Sequence, residues 1–273
     1  MKTNNTFDIN GKVCVITGGA GVLGSTIARH LLAEGAHVAI LSLAQDDIDK
    51  ITQELDFPDD RLAGYVCNVL DADMVAEVAQ QIVTKWGKVD ALLNAAGGNM
   101  AGATIGPDQT ILDMDLNDFD KVSKLNLTGS LIPCMAFGKH MAGQGFGSII
   151  NYSSMTAYRT ITRVVGYSAS KAALSNLTQW LAVEFALKFS PKIRVNAIAP
   201  GFFIGNQNRR LLTNEDGSYT ERGNTIIANT PMKRFGEAEE LNGALHWLIS
   251  DASSFVTGTI LPIDGGFNAF SGV

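Results

Sequence analysis

The chain has 273 residues, 46% of them hydrophobic and 18% charged, with a formal net charge of -6. That composition excludes an intrinsically disordered chain and supplies enough apolar residues for a sizeable core. The negative balance speaks against nucleic acid and anionic membranes as partners, because both call for a basic footprint.

In chain order, residues 1–10 are polar and carry no apolar signal core. An apolar run predicts a strand at 12–17. A helix is expected at 23–34, with Leu23, Ile27, Leu31 and Leu32 on one face and Gly35 closing it. The alternation continues with a strand at 36–43, a short helix at 46–55, a strand at 62–67, a helix at 71–86 and a strand at 89–94. The second half repeats it: a long helix at 116–141, a strand at 148–153, a helix at 166–189, a strand at 193–198, a helix at 238–249 and a last strand at 259–263. The strand runs are nearly continuous in apolar residues, the mark of strands buried on both faces of a parallel sheet covered by helices. The expected fold is α/β: one doubly wound, Rossmann-type domain over residues 1–273, with a mostly parallel sheet of about seven strands. The segment 201–236 lacks a clear period and is expected as an irregular functional loop.

No apolar run is long enough to span a bilayer. Cys14, Cys67 and Cys134 stand far apart in apolar runs. They read as core packing in a reducing cytoplasm, and no CxxC or Cys/His cluster suggests a metal. His30, His37, His140 and His246 each stand isolated in a helical or strand pattern, and Trp86, Trp180 and Trp247 read as packing anchors.

Between the first strand and first helix stands Thr17-Gly18-Gly19-Ala20-Gly21-Val22-Leu23-Gly24. Gly19, Gly21 and Gly24 fit GxGxxG. Placed after a strand and before a helix, such glycines let the backbone approach a pyrophosphate that the helix N-terminus attracts. A dinucleotide cofactor is expected on Gly18, Gly19, Gly21, Val22, Leu23 and Gly24. At the tip of the second strand, Ser42 stands where an acid would select NAD and a base NADP. Neither charge is present, so both cofactors stay open, and the missing Arg or Lys tilts the reading toward NAD.

Tyr167 and Lys171 stand four apart, on one face of a helix, and Ser154 lies thirteen residues before the Tyr, just past a strand. Asn126 sits on the preceding long helix. Together with the glycine loop, Asn94-Ala95-Ala96-Gly97, Pro200-Gly201 and Asp264-Gly265-Gly266, this set resembles the short-chain dehydrogenase/reductase family over almost the whole chain. The resemblance implies that Tyr167 is the general acid/base and Ser154 holds the substrate oxygen. It implies that Lys171 binds the nicotinamide ribose and lowers the Tyr pKa, and that Asn126 supports a proton-relay water. It extends the cofactor set to Asn68, Val69, Asn94, Ala95, Ala96, Pro200, Gly201 and the backbone amide of Ile204. Val22 departs from the family's usual Gly, and Gly21 is expected to take over the flexible position. The resemblance also implies a homotetramer, with the 116–141 and 166–189 helices at a subunit interface.

The loop after Pro200-Gly201 carries amides and two guanidinium groups at residues 205–213. Forked Arg suits a carboxylate and amides suit hydroxyls. Gln207-Asn208-Arg209, Leu211-Leu212-Thr213, Glu221-Arg222-Gly223, Thr230-Pro231-Met232, Gly97-Gly98-Asn99 and the tail at 265–273 look like the D-mannonate oxidoreductases (fructuronate reductases) within that family. Asn99, Gln207, Arg209 and Arg210 are the expected substrate residues. Arg209 is first for the carboxylate, and Arg163 and Arg222 stand behind it. The alternatives are another sugar-acid or polyol dehydrogenase such as a gluconate 5-dehydrogenase, a 3-oxoacyl reductase, or a dinucleotide sensor without turnover. The last is disfavoured because Tyr167 and Lys171 are both kept.

Overall fold

In the computed structural model, which describes residues 5–205 and 209–272, the apolar runs become strands stacked edge to edge. Among those residues the strands are β1 (Val13–Thr17), β2 (His37–Ser42), β3 (Leu62–Val66), β4 (Ala91–Asn94), β5 (Gly147–Tyr152), β6 (Ile193–Pro200) and β7 (Ile260–Ile263). They form one sheet in the order β3-β2-β1-β4-β5-β6-β7, and every pair is parallel. The chain starts in the middle and winds outward twice, reversing between β1 and β4.

Every residue of β1 is buried, because successive side chains enter different layers. Cys14 and Ile16 join Ile27, Leu31 and Leu32 of α1 (Val22–Ala33) on one face, together with Leu245 and Leu248 of a late helix. Val13 and Val15 meet Val75, Val78 and Ile82 of α3 (Ala72–Trp86) on the other, with Phe137 and Phe185 from two further helices. The short α2 (Gln45–Leu55) lays Ile51 and Leu55 against the first layer. All three cysteines are buried and free. Burial pushes the Cys14 and Cys134 thiols up to about 12 and Cys67 to about 11, so they are inert as nucleophiles.

Two expectations are corrected in the helices. The long helix is not uniform: α4 (Leu116–Ser123) runs into a π turn, Lys124–Thr128, before α5 (Gly129–Gln144). A π turn leaves no mark in hydrophobic period, so the sequence reads as one helix. After α6 (Val165–Lys188), the segment 201–236 is not irregular throughout. It folds as α7 (Arg209–Leu212) and α8 (Glu221–Asn229), over a satellite core of Leu212, Ile226 and Phe235. Thr220 caps α8 by accepting from Gly223 N. Gly223 and two asparagines inside a nine-residue helix hide its periodicity.

The histidines are not all isolated either. His30 Nε2 lies 2.9 Å from His246 Nδ1, joining α1 to α9 (Asn242–Ile249), and His246 Nε2 lies 2.7 Å from Phe7 O. The Phe7 carbonyl only accepts, so His246 carries its proton on Nε2 and accepts from His30 through Nδ1. Residues 216 apart in sequence give no signal of such a pair.

Candidate active site

The reversal between β1 and β4 opens a crevice at the carboxyl ends of the strands, where open α/β sheets bind ligands. A cleft of about 470 Å³ lies there. It is lined by Gly18, Gly21, Val22, Leu23 and Gly24 from the first turn, Ala95, Ala96, Gly97 and Gly98 after β4, Ser154, Tyr167 and Lys171, and Pro200 and Gly201 after β6. Its walls are pinned to each other. Thr17 Oγ1 accepts from Ala96 N at 3.2 Å. Asn126, fully buried on the π turn, grips Gly98 at two points: Oδ1 accepts from its N–H at 3.0 Å and Nδ2 donates to its carbonyl at 2.7 Å. The second Nδ2 proton goes to Val122 O at 2.9 Å, so both amide protons are used.

The glycine turn has a different geometry from the one expected. Gly18, with φ +63°, takes the left-handed position, whereas Gly21 is extended at φ -74°. A Cβ on Gly24 would lie 2.6 Å from Gly18 O and 2.7 Å from Gly19 Cα, both backbone. A Cβ on Gly21 would meet only Gly18 O, at 3.3 Å, on a residue that lines the cleft. The two glycines therefore answer to different demands: Gly24 lets helix and turn touch, and Gly21 keeps the cleft wall bare. A bare wall at a helix N-terminus with no acidic residue in its first turn suits the pyrophosphate of a nicotinamide dinucleotide.

Ser154 follows β5 and accepts from Thr156 N at 3.2 Å, capping a short turn at Met155–Ala157. Tyr167 and Lys171 stand one turn apart on α6. Lys171 is 3% exposed, donates from Nζ to Tyr152 O at 2.6 Å, and has its Nζ 5.4 Å from the Tyr167 ring centre. Among the described residues no carboxylate pairs with it. Burial pulls its pKa down to about 7. Burial raises the Tyr167 phenol above its ordinary value, and the neighbouring Ser154 hydroxyl pulls the other way.

A second cavity of about 620 Å³ meets the first at Gly98, Ser154, Tyr167 and Gly201. Its apolar side is formed by Met100, Met155, Ile161, Val164, Phe202, Leu211 and Leu212. Its polar side holds Asn99, Thr104, Thr156, Arg163, Arg210 and Arg222, and no acidic residue lines it. Asn99 Oδ1 and Thr156 Oγ1 are buried without a hydrogen-bond partner among the described residues.

Of the expected site residues, Asn99 and Arg210 line this second cavity, while Arg209 lies exposed outside it. Adjacent residues on a helix point about 100° apart, so α7 brings only one of the two exposed arginines to the cavity rim. Gln207 lies outside the described residues. Gly19, Ser42, Asn68, Val69, Asn94 and Ile204 line neither cavity. Gly19 faces Ile40. Ser42 ends β2, and Asn68 and Val69 follow β3 at the same rim. Ile204 packs on the satellite core. Asn94 turns inward, donating to Asn151 Oδ1 at 2.9 Å, and so braces β4 against β5. Thr156 gives no signal in the sequence, since a lone threonine carries no pattern, and Thr17, which opens the glycine motif, is not marked there as a tie to the loop after β4.

Two substitutions test this geometry. Gly24→Ala is expected to strain the backbone by roughly 1–3 kcal/mol and lower the thermal midpoint by several degrees. Gly21→Ala should keep the wild-type midpoint and weaken dinucleotide binding. Differential scanning fluorimetry with a cofactor titration separates them, and a reversal of the two profiles would overturn the assignment.

Lys171 predicts a pH signature. The unfolded lysine holds its proton up to its ordinary 10.5, and the folded one releases it at about 7. Between those values the unfolded chain binds more protons, so stability rises with pH. The raised Tyr167 pKa opposes this only above its ordinary value of 10.0. Calorimetry on the cofactor-free protein should show wild type gaining on Lys171→Met from pH 7 to 9.5, by at most about 1.4 kcal/mol per pH unit. A constant difference would contradict a desolvated ammonium.

Comparison with known proteins agrees with this architecture. The family model described as Enoyl-(Acyl carrier protein) reductase matches residues 18–268. An uncharacterised oxidoreductase of Haemophilus influenzae is 44% identical over 284 residues, covering 100% of this chain and 99% of that protein. An uncharacterised oxidoreductase of Bacillus subtilis, UxuB, is 43% identical over 275 residues, covering 97% and 98%. A crystal structure of a provisionally named D-mannonate oxidoreductase from Haemophilus, with bound NAD, superposes with a TM-score of 0.90 at 43% identity and covers 99% of this chain and 100% of that one. The protein is a dehydrogenase/reductase on a Rossmann-type fold and belongs to the short-chain dehydrogenase/reductase family.

Proposed function

We propose that the protein interconverts D-mannonate and D-fructuronate with NAD as the preferred cofactor. The observation that carries this reading is the second cavity. Three arginines with no acid among its described lining residues call for an anion, and Asn99 Oδ1 and Thr156 Oγ1, without a partner among the described residues, call for hydroxyls. A polyhydroxy acid supplies both, and the cavity touches Tyr167 and Ser154 where the reacting carbon must sit. The NAD bound in the Haemophilus structure and the absence of a basic residue at the end of β2 support NAD over NADP.

When bound, the nicotinamide ring supplies or accepts the hydride. The residues do the rest. Ser154 orients the substrate oxygen toward Tyr167 by hydrogen bonding. Tyr167 gives its phenolic proton to that oxygen in reduction and takes it back in oxidation. Its phenol is raised by burial, so the phenolate needs positive charge nearby; Lys171, beside the ring, provides it in its protonated form, which burial disfavours and an adjacent phenolate in turn favours. Lys171 also reaches the cleft as a donor for ribose hydroxyls. Asn126 acts by fixing Gly98, a residue common to both cavities. Exposed Met135, Trp180, Val183, Leu187 and Phe189 on and just after α5 and α6 support a homotetramer through those helices. The buried free cysteines suit the cytoplasm.

A panel of D-fructuronate, D-mannonate, D-gluconate, D-mannitol and a 3-oxoacyl thioester, assayed by nicotinamide absorbance, tests the substrate. Fructuronate reduction is expected to dominate, and preference for the thioester would replace the assignment with an acyl reductase. Tyr167→Phe should lower kcat roughly 100- to 10,000-fold with cofactor affinity preserved. Retained turnover would remove Tyr167 from the mechanism.

The cofactor is tested separately. Ser42→Asp should shift the kcat/KM ratio tenfold or more toward NAD, because a carboxylate there bonds ribose hydroxyls and repels a 2′-phosphate. An unmoved ratio would place the ribose elsewhere.

A further inference from the structure

We propose that Arg163 and Arg222 together form the carboxylate-binding end of the substrate cavity, in place of Arg209. This deepens the sugar-acid reading above and rests on it for the class of substrate.

Both residues line the cavity beside Tyr167, and Arg209 does not. Arg163 is locked in place: its backbone carbonyl accepts from Ile105 N at 3.0 Å, and its Nε donates to Ile105 O at 2.7 Å. Using Nε leaves both terminal nitrogens, the outer fork, without a partner among the described residues. Arg222 reaches the same spot from α8, with contacts of only 3.4 Å to Thr162 Oγ1 and Thr162 O, the residue preceding Arg163. Those bonds are at the long limit and hold the guanidinium weakly. Neither arginine has an acidic partner among the described residues. Two half-buried cations so placed repel each other. Burial and then the Arg163 charge pull Arg222 below its ordinary pKa.

The backbone carries a second, independent sign. Arg163 adopts φ +77°, the left-handed region that non-glycine residues avoid. Strain of that kind persists where surrounding structure fixes it, and it gathers at ligand clamps. Here it turns the backbone just before α6, so that Arg163 faces the cavity four residues ahead of Tyr167. The buried Arg194 shows the contrast: both terminal nitrogens are committed to structure, donating to Ser253 Oγ at 2.9 Å and to Leu248 O at 2.8 Å. A carboxylate between Arg163 and Arg222 would satisfy two forks and relieve their repulsion. Arg210 stands at the exposed rim, where water screens its charge.

The test measures kcat/KM at saturating NAD for D-mannonate and D-gluconate against D-mannitol and D-glucitol. Arg222→Gln is the main variant, because Arg163 also ties down the Ile105 loop. It should lower kcat/KM for the acids roughly 30-fold or more, with less than about threefold loss on the polyols. Arg222→Lys should recover part of that loss, and Arg209→Gln should leave acid selectivity unchanged. Unchanged cofactor affinity and thermal midpoint exclude a folding defect. Equal losses on acids and polyols, or a loss of acid selectivity in Arg209→Gln instead, would overturn the proposal. So would a wild-type enzyme that shows no preference for any acid. If D-mannonate fails but D-gluconate is used and depends on Arg222, the pair stands and the D-mannonate assignment falls. If fructuronate is reduced and Arg222→Gln is silent, the assignment stands and the pair falls.

Discussion

Lys171 holds its ammonium 2.6 Å from the Tyr152 carbonyl, almost wholly out of water and with no carboxylate to offset it. Much of the molecule serves that placement. The carbonyl belongs to the last residue of β5, a strand buried along its whole length between two helical layers. The lysine rides on α6, which packs its Leu181 and Phe185 against the layer below the sheet. Removing either support would let the ammonium return to water. A desolvated cation is unfavourable to the fold by itself, so the sheet's packing carries a penalty whose return lies in the chemistry next door.

The other polar groups of the cleft act as braces for the same arrangement. Thr17 ties the end of β1 to the loop after β4, Asn94 ties β4 to β5 through Asn151, and Asn151 continues to Thr178 on α6 at 2.9 Å. This series of contacts crosses the sheet from its centre to the helix that bears Tyr167. Each group is buried and makes at least one of these bonds, although Asn94 Oδ1 has no partner among the described residues. Two further atoms without a partner among the described residues, Asn99 Oδ1 and Thr156 Oγ1, belong to residues that line the neighbouring cavity.

How much of this the sequence discloses depends on the range of the interaction. The strands are legible because a parallel strand buried on both faces must be largely apolar: β1, β5 and β6 are buried at every residue, and their polar exceptions, Thr17, Ser148, Asn151, Arg194 and Asn196, are few and hydrogen-bonded. Tyr167 and Lys171 are legible because one helical turn fixes their spacing. The α8 helix is obscured by Gly223 and its asparagines, and its amphipathic side rests on one strongly buried residue, Ile226. The choice between Arg209 and Arg210 turns on helix phase in a four-residue helix, which composition does not encode. The left-handed residue of the glycine turn proves to be Gly18, where the neighbouring backbone of Ala95 and Ala96 also leaves no room for a side chain. That contact comes from the loop after β4, some eighty positions later in the sequence.

The π turn at Lys124–Thr128 amounts to one extra residue accommodated within a helix that otherwise runs on. One residue in a helix is worth about 100° of rotation. The faces of α4 and α5 are therefore set against each other by an offset that neither helix determines alone. On the α4 side, Val122 is buried beneath the cleft wall. On the α5 side, Phe137 points into the core while Met135 is left on the surface. The turn works as a phase adjuster in a single rod. It lets the half that frames the active site and the half that presents an outer apolar face drift in sequence independently, each keeping its own bearing.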